Sequence, residues 1–266
     1  MASNSSQPGF KIVDPPNPSW TYGQKVDATP EGREWLEGEK AGWTTVNASA
    51  PEDAKKLFLL FSGIVPRPIA FVSTISENGI ANIAPFSWFN QVSSSPPVIS
   101  VSITRNADSR PKDTLRNILA TKGFTVNIIS EAWIAQANAA SIDAPEDVSE
   151  WPLSGLTQEP SIYVKAPRVK ESAFSLELEL LETVDVRDPV SSKVTTTLVL
   201  GSVKYIHVRN DVLDARGSVD PGKLRTVAKL GGILFAKVNE GYNIPRYSWA
   251  EHGKQIQELE STQAKA

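Results

Sequence analysis

The alternation of apolar and polar residues constrains the fold of this chain more than any other feature. Residues 174–180 alternate Phe or Leu with Ser or Glu, and residues 97–104 alternate Ile or Val with Ser or Thr. Residues 124–128 repeat this pattern, while residues 68–76 and 198–208 are rich in β-branched side chains. Because successive side chains of a strand point to opposite faces of a sheet, these segments predict strands. We therefore expect a mainly β fold.

Turn and helix signals between these strands are short. Asn78 and Gly79 follow the first strand and are typical of a two-residue hairpin turn, in which both residues take a positive φ. Residues 113–120 and 131–140 are compatible with short helices, and the proline and acids at 51–53 indicate the start of another. Many strands with few short helices favour a closed or nearly closed antiparallel barrel.

Composition divides the chain into three parts. Residues 1–50 are rich in Pro and Gly and carry three tryptophans, which are costly to leave in water. We expect this N-terminal arm to lie over the main body or a partner subunit, the alternative being a mostly disordered tail. Residues 51–250 hold the regular elements and form the main domain. Residues 251–266 form a polar, helix-prone C-terminal tail.

Several classes of protein are excluded by composition. The chain has no cysteine, which excludes disulfides, thiolate metal sites and cysteine nucleophiles. Its net charge is −3 and it has no arginine-rich block, so we expect no nucleic-acid partner. No apolar run approaches the roughly 20 residues of a membrane span, and the polar N-terminus lacks a targeting pattern, so we expect a cytoplasmic protein. The two histidines, His207 and His252, have no paired-ligand spacing, so we expect no metal site.

The most unusual stretch is NIAPFSWFN at residues 82–90. Pro85 cannot donate a hydrogen bond to a sheet, so we expect the strand to end or bulge there and to free neighbouring amides. Free amides beside Ser87, Asn90 and several aromatic rings suit a flat heteroaromatic ligand edged with carbonyls, such as an isoalloxazine. The alternative is a turn whose aromatic side chains only plug the end of the barrel.

A second cluster of polar residues surrounds the start of the helix predicted from residue 113. It contains Arg105, Arg110, Lys112, Asp113 and Thr114. A helix N-terminus with flanking cations and a hydroxyl is a typical anion site. Asp113 opposes this interpretation, because as N-cap it would occupy the amide donors and repel a phosphate. The alternative is that these are ordinary solvated charges.

In their order along the chain, these motifs resemble those of a known family. The matching segments are GIVPRPIA (63–70), VST (72–74), Gly79, Asn82, APFS (84–87), PP (96–97), KDTLRNI (112–118), FTVN (124–127), GLT (155–157), LVLG (198–201) and LGG (230–232). The set runs from about Phe58 to Phe235. It resembles the flavin reductase-like, FMN-binding split-barrel family, including its flavoredoxin-like members.

The resemblance implies a six-stranded antiparallel split β-barrel with short helices, usually a homodimer with FMN near the subunit interface. It implies one set of residues at the flavin ring and ribityl chain, and a second set at the ribityl and phosphate end. His207 lies in a strand where some relatives place a histidine near the nicotinamide or flavin, although a lone strand histidine is more often structural. The first set is Ser73, Thr74, Asn82, Ala84, Pro85, Phe86, Ser87 and Trp88, and the second is Ser102, Arg110, Lys112 and Thr114.

The resemblance also implies a function. Our hypothesis is an FMN-dependent oxidoreductase that oxidises NADH or NADPH and passes electrons to free flavin, a partner oxygenase or a small acceptor. The alternative is an FMN-binding module, or a split-barrel protein that carries out another small-molecule transformation without NAD(P)H oxidation. The chain departs from the family in lacking the tyrosine that often follows Gly231 and Gly232, and in its long arm at residues 1–50. An arm that covers the flavin would exclude NAD(P)H.

Overall fold

The structure is a computed structural model that describes residues 9–49, 54–145 and 147–263. Its strands are β1 (Lys11–Val13), β2 (Ala70–Ile75), β3 (Ala81–Phe86), β4 (Phe89–Ser94), β5 (Pro97–Thr104), β6 (Gly123–Ile128), β7 (Gln158–Glu159), β8 (Arg168–Val169), β9 (Phe174–Arg187), β10 (Val194–Val208), β11 (Val227–Lys229), β12 (Phe235–Lys237) and β13 (Glu240–Tyr242). Its α-helices are α1 (Pro30–Glu37), α2 (Ala54–Gly63), α3 (Asp113–Thr121), α4 (Ile134–Ala139), α5 (Trp151–Ser154), α6 (Pro221–Leu224) and α7 (Trp249–Gln263). Short 3-10 helices lie at Val26–Ala28, Gly38–Ala41, Glu131–Trp133 and Asn210–Val212.

The described residues form two compact units. The larger unit comprises residues 57–239, and the smaller unit combines residues from 10–56 with residues from 240 onwards. In the smaller unit β1 pairs with β13 in parallel, and Tyr22, Tyr247 and His252 pack with ring centroids 5.1–5.4 Å apart in successive pairs. Residues of the predicted arm and of the C-terminal region therefore pack together. That the arm covers the main body or a partner subunit stays a prediction.

Seven strands form the main sheet of the larger unit, in the order β3-β2-β6-β9-β10-β5-β4, with every neighbouring pair antiparallel. The predicted mainly β, antiparallel split-barrel fold is confirmed. The predicted count of six strands is wrong, because β4, with the mostly polar sequence FNQVSS, continues the sheet beyond β5. Within the described residues β3 and β4 form no ladder with each other, so the sheet is open.

Both faces of the main sheet carry a buried apolar cluster. Val72 of β2 joins one cluster together with Leu115 of α3, while the preceding residue, Phe71, joins the other together with Trp133. Successive residues of a strand point to opposite faces, so β2 is covered on both sides. This explains why five successive residues of β2 are buried and why its sequence does not alternate strictly between apolar and polar residues.

The hairpin between β2 and β3 is confirmed, but its turn differs from the predicted two-residue type. The amide of Gly79 donates to the carbonyl oxygen of Ser76 at 3.0 Å. The amide of Ser76 donates to the carbonyl oxygen of Ile80 at 2.9 Å. Gly79 has a φ of +84°, whereas Asn78 has no positive φ. The turn therefore has three residues, with the left-handed glycine at its last position.

Strand β3 continues through Pro85 and ends at Phe86, one residue later than predicted and without a bulge. The hydrogen bond between Ser76 and Ile80 sets the alternation of the ladder, so residues 82, 84 and 86 pair with β2 while residues 81, 83 and 85 turn their amide positions to the open edge. Pro85 thus stands where its missing N–H removes no ladder bond. The predicted release of the amides of Ala84 and Phe86 is wrong.

The described ranges contain neither a membrane-spanning helix nor a cluster of metal ligands. None of the helices there is both long and apolar enough to cross a bilayer. Over the same residues, no group of three or more His, Asp or Glu side chains is arranged to hold a metal ion.

Candidate functional site

A groove of about 1110 Å³ lies on the larger unit beside β3 and the start of α3. Its volume lies just above the range of about 300–1,000 Å³ that is typical of ligand pockets in proteins. The two clusters that the sequence singled out separately, one around residues 82–86 and one around residues 110–114, share this groove. Its lining includes Asn82, Ala84, Pro85, Phe86, Asp108, Arg110, Lys112, Asp113, Thr114, Ile142 and Glu150.

The N-terminus of α3 opens at this groove without a side-chain cap. The N-cap residue is Lys112, whose side chain makes no capping hydrogen bond. The expectation that Asp113 is the N-cap is wrong, because Asp113 is the first helical residue and its carboxylate accepts a hydrogen bond from Arg116 at 2.7 Å. The first-turn amides are therefore not occupied by a capping carboxylate, and together with the helix dipole they favour an anion.

The cations predicted near this helix end differ in their partners. Arg105 is outside the groove lining, because its guanidinium donates to Thr197 and Asp185, each at 3.1 Å, and so links β5 to β10 and β9. Arg110 lines the groove but forms an ion pair with Asp108 at 2.5 Å. Lys112 also lines the groove, is exposed, and has no ion-pair partner in the described part of the chain. Lys112 is therefore the cation most available to an anionic ligand.

A buried polar network lies at the wall of the groove. Oδ1 of Asn82 accepts hydrogen bonds from Oγ1 of Thr114 at 2.9 Å and from Oγ1 of Thr74 at 3.4 Å. Nδ2 of Asn82 donates to Oε2 of Glu150 at 2.8 Å, and the same carboxylate oxygen accepts from the amide of Ile83 at 3.2 Å. Asn82, Thr114 and Glu150 line the groove, whereas Thr74 is fully buried and is linked to it through Asn82.

Glu150 is the member of this network that the sequence analysis missed. It is only 4% exposed, immediately before α5. Burial raises the pKa of its carboxyl, the nearby Asp113 carboxylate adds to the rise, and the hydrogen bonds that it accepts oppose it. A single acid in a polar loop is normally solvated, so the local sequence contained no signal for its burial.

Five of the predicted ligand contacts lie outside the groove lining: Ser73, Thr74, Ser87, Trp88 and Ser102. Ser73 is fully buried, and its hydroxyl has no hydrogen-bond partner among the described residues. Ser87 lies one residue beyond the end of β3. Its Oγ accepts a hydrogen bond from Nε of Arg67 at 3.4 Å. The amide of Ser102 donates to the carbonyl oxygen of Trp88 at 2.9 Å, at the boundary of the β4–β5 pair.

His207 is outside the groove lining and is paired with a buried carboxylate. Its Nε2 lies 2.6 Å from Oε1 of Glu177, which is fully buried on β9 and also accepts from the amides of Ile162, Tyr163 and Val164. Burial acts to raise the pKa of Glu177, but these hydrogen bonds outweigh it and hold the pKa below its usual value. Glu177 thus binds the loop of residues 162–164 to the sheet and pairs with His207 of the neighbouring strand β10. A catalytic role for His207 stays a prediction.

The open antiparallel sheet, with a polar groove beside its edge strand β3, has the split-barrel fold. Residues 61–226 match the sequence model of the flavin reductase like domain. The match covers more than half of the chain, so the chain belongs to the flavin reductase-like family. The expected family is confirmed, and with it a flavin-related enzyme.

The chain is also similar to individual proteins, in sequence and in structure. An uncharacterized protein of Aquifex aeolicus is 40% identical over 186 residues, which is 70% of this chain and 91% of that protein. The crystal structure of nitrilotriacetate monooxygenase component B from Bacillus cereus is 31% identical, with a TM-score of 0.72 over 76% of this chain and 98% of its own. Flavoredoxin of Desulfovibrio vulgaris (Miyazaki F) is 25% identical, with a TM-score of 0.59 over 78% of this chain and 100% of its own.

Proposed function

We propose that the groove binds FMN and that the protein is a flavin-dependent oxidoreductase acting on a small molecule. One observation carries the proposal: a single groove joins the uncapped start of α3, with Lys112 beside it, to the exposed edge of β3. A ligand with a phosphate at one end and a flat ring at the other matches this order of surfaces.

The α3 end of the groove fits a phosphate. The first-turn amides of α3, the ammonium of Lys112 and the guanidinium of Arg110 are donors there, and each charge-assisted hydrogen bond contributes about 1.5–3 kcal/mol. The carboxylates of Asp108 and Asp113 are engaged by Arg110 and Arg116, which reduces their repulsion of an anion.

The β3 side of the groove fits the ring of a flavin. Ala84, Pro85 and Phe86 offer small or apolar surface, and Pro85 has no N–H to leave unsatisfied against a ring face. The outward amide of Ile83 is taken by Glu150 and Pro85 has no N–H, so the next residue of this edge with a donor is Ser87, which lies just outside the groove lining. When bound, FMN supplies the hydride and electron-transfer chemistry, while these residues bind and orient it.

We further propose NADH or NADPH as the electron donor, and free flavin or another small molecule as the acceptor. Membership of the flavin reductase-like family supports this, as does the name of the 31% identical structure, a monooxygenase component. An FMN-binding module that does not oxidise NAD(P)H is the alternative.

Absorption spectroscopy of the purified protein tests these proposals in sequence. We expect a yellow protein that releases FMN on denaturation, or a colourless one that binds added FMN at micromolar concentration or below. Under argon, NADH or NADPH is expected to bleach the flavin band. A protein that binds FMN but is bleached by neither nicotinamide is the module, whereas a protein that binds no flavin contradicts the proposal as a whole.

A further inference from the structure

We propose that Glu150 is a positioning residue that makes the groove wall recognise a hydroxyl group of the ligand. The inference rests on the proposed FMN binding, and the hydroxyl-bearing part of FMN is its ribityl chain. It follows from the directions of the hydrogen bonds around Asn82.

The backbone of β3 determines which atom of the Asn82 amide faces Glu150. Ile83 stands at an outward-facing position of the edge strand, and its N–H can only donate. Oε2 of Glu150 accepts from it at 3.2 Å, so this oxygen is an acceptor whether or not the other carboxyl oxygen carries a proton. Asn82 must therefore present its Nδ2, and not its Oδ1, to Oε2 of Glu150, at 2.8 Å.

The orientation of the Asn82 amide in turn sets the direction of the hydrogen bond from Thr114 on α3. With Nδ2 turned to Glu150, Oδ1 of Asn82 accepts from the hydroxyls of Thr114 and Thr74. Thr74 in turn accepts from Nδ2 of Asn117 at 3.0 Å, which fixes the direction of its own proton. A hydroxyl has one proton to donate, and that of Thr114 is used on Asn82.

Thr114 and Asn82 each keep one hydrogen-bonding function that a ligand can use. Oγ1 of Thr114 keeps acceptor capacity but has no proton to offer. The second proton of Asn82 Nδ2 has no acceptor among the described residues. Both residues line the groove, so its wall offers an acceptor and a donor side by side. A ligand hydroxyl satisfies both, because it donates to Thr114 and accepts from Asn82, whereas a carbonyl or an ammonium group satisfies one.

Three flavins separate this inference from a general loss of stability. FMN and riboflavin carry the ribityl chain, and lumiflavin lacks it. Replacing Glu150 by Ala removes the acceptor of Asn82 Nδ2 and leaves the 3.4 Å bond from Thr74 as the one bond of fixed direction that still orients the amide. We therefore expect E150A to weaken FMN and riboflavin about three- to tenfold, with lumiflavin unchanged. E150Q is the matched control, because its side-chain oxygen can accept from both Ile83 and Asn82, and we expect wild-type affinities. Quenching of flavin fluorescence measures all three dissociation constants.

Equal losses for the three flavins in E150A, or an E150Q protein as weak as E150A, would overturn the inference. A double-mutant cycle with T114V provides a second test, since residues acting through one interaction are not additive. We expect T114V to weaken riboflavin but not lumiflavin, and E150A/T114V to lose no more riboflavin affinity than T114V alone. The T114V measurement stands even if E150A fails to fold. Wild-type protein that binds none of the three flavins would contradict the proposed function instead.

Discussion

Two cations, Lys112 and Arg110, line the same end of the groove with different partners. Arg110 shares its charge with Asp108, whereas Lys112 has no ion pair within the described ranges. We expect Lys112→Ala to weaken FMN about ten- to a hundredfold through the loss of a charge-assisted bond, and to leave riboflavin unaffected, because riboflavin has no phosphate. Arg110→Ala is the matched variant, with a smaller expected loss. Titration with both flavins checks this, and equal losses of FMN and riboflavin in K112A would place the phosphate elsewhere.

Ala84 tests the β3 wall of the groove. A leucine at this position would fill space beside the strand, so we expect Ala84→Leu to be purified without flavin. Ser87→Ala removes one hydroxyl outside the groove lining, and we expect it to retain flavin with a modest change in reduction potential. The flavin-to-protein absorbance ratio and a dye-coupled reduction titration measure both. A yellow A84L protein together with a colourless S87A protein would exclude this wall as the ring site.

At the scale of elements, the loop of residues 162–164 is fixed to β9 by one carboxylate. The pKa of Glu177 is held below its ordinary value of 4.5, so ionised Glu177 stabilises the fold above that pH, and this contribution is lost as the pH falls through the lowered pKa. We expect Glu177→Gln to lower the free energy of unfolding at pH 7 by about 1–3 kcal/mol. The deficit should shrink as the pH falls below 4.5. Urea unfolding at pH 7 and pH 4 measures it, and a deficit that is the same at both pH values would show that the charge is not involved.

The strands were predictable wherever one face of a segment is uniformly apolar. Ile99, Val101 and Ile103 are all buried, as their alternation indicated. Strand β4 was missed because its sequence has no apolar face, and it is held by backbone pairing with β5. Glu177 is one of the polar residues in the alternation of residues 174–180, but a loop some 14 residues earlier in the chain covers its side chain. Burial of this kind depends on tertiary contacts that no local pattern contains.

The sequence predicted the two ends of the candidate site, at β3 and at the start of α3. It did not predict the hydrogen-bond network that forms the wall between them. Residue types indicated both the β3 stretch and the start of α3, and the fold brings Asn82 and Thr114 within hydrogen-bond distance. The position of Pro85 in the ladder depends on the register with β2, and Glu150 enters the network from a separate segment. Neither the register nor the approach of a distant loop can be read from the neighbouring residues.

At the scale of the whole molecule, we expect a homodimer. Val184 and Val186 point to the same side of β9 and are 47% and 52% exposed, an apolar surface that favours a second copy as its cover. Val184→Glu together with Val186→Glu is expected to shift the protein to a monomer in light scattering after size exclusion. Val190→Glu, in the turn after β9, is the control and should leave the dimer intact. A wild-type monomer at micromolar concentration would contradict this expectation.

The pairing of β1 with β13 sets an order of events during synthesis on the ribosome. Lys11 lies opposite Glu240, so β1 has no partner strand until nearly all of the chain between them has been made. At roughly 5–20 residues per second, that interval is about 10–50 s. All strands of the main sheet are synthesised within it. The strands of the main sheet can therefore pair with one another while the first segment of the chain still waits for its partner in the last.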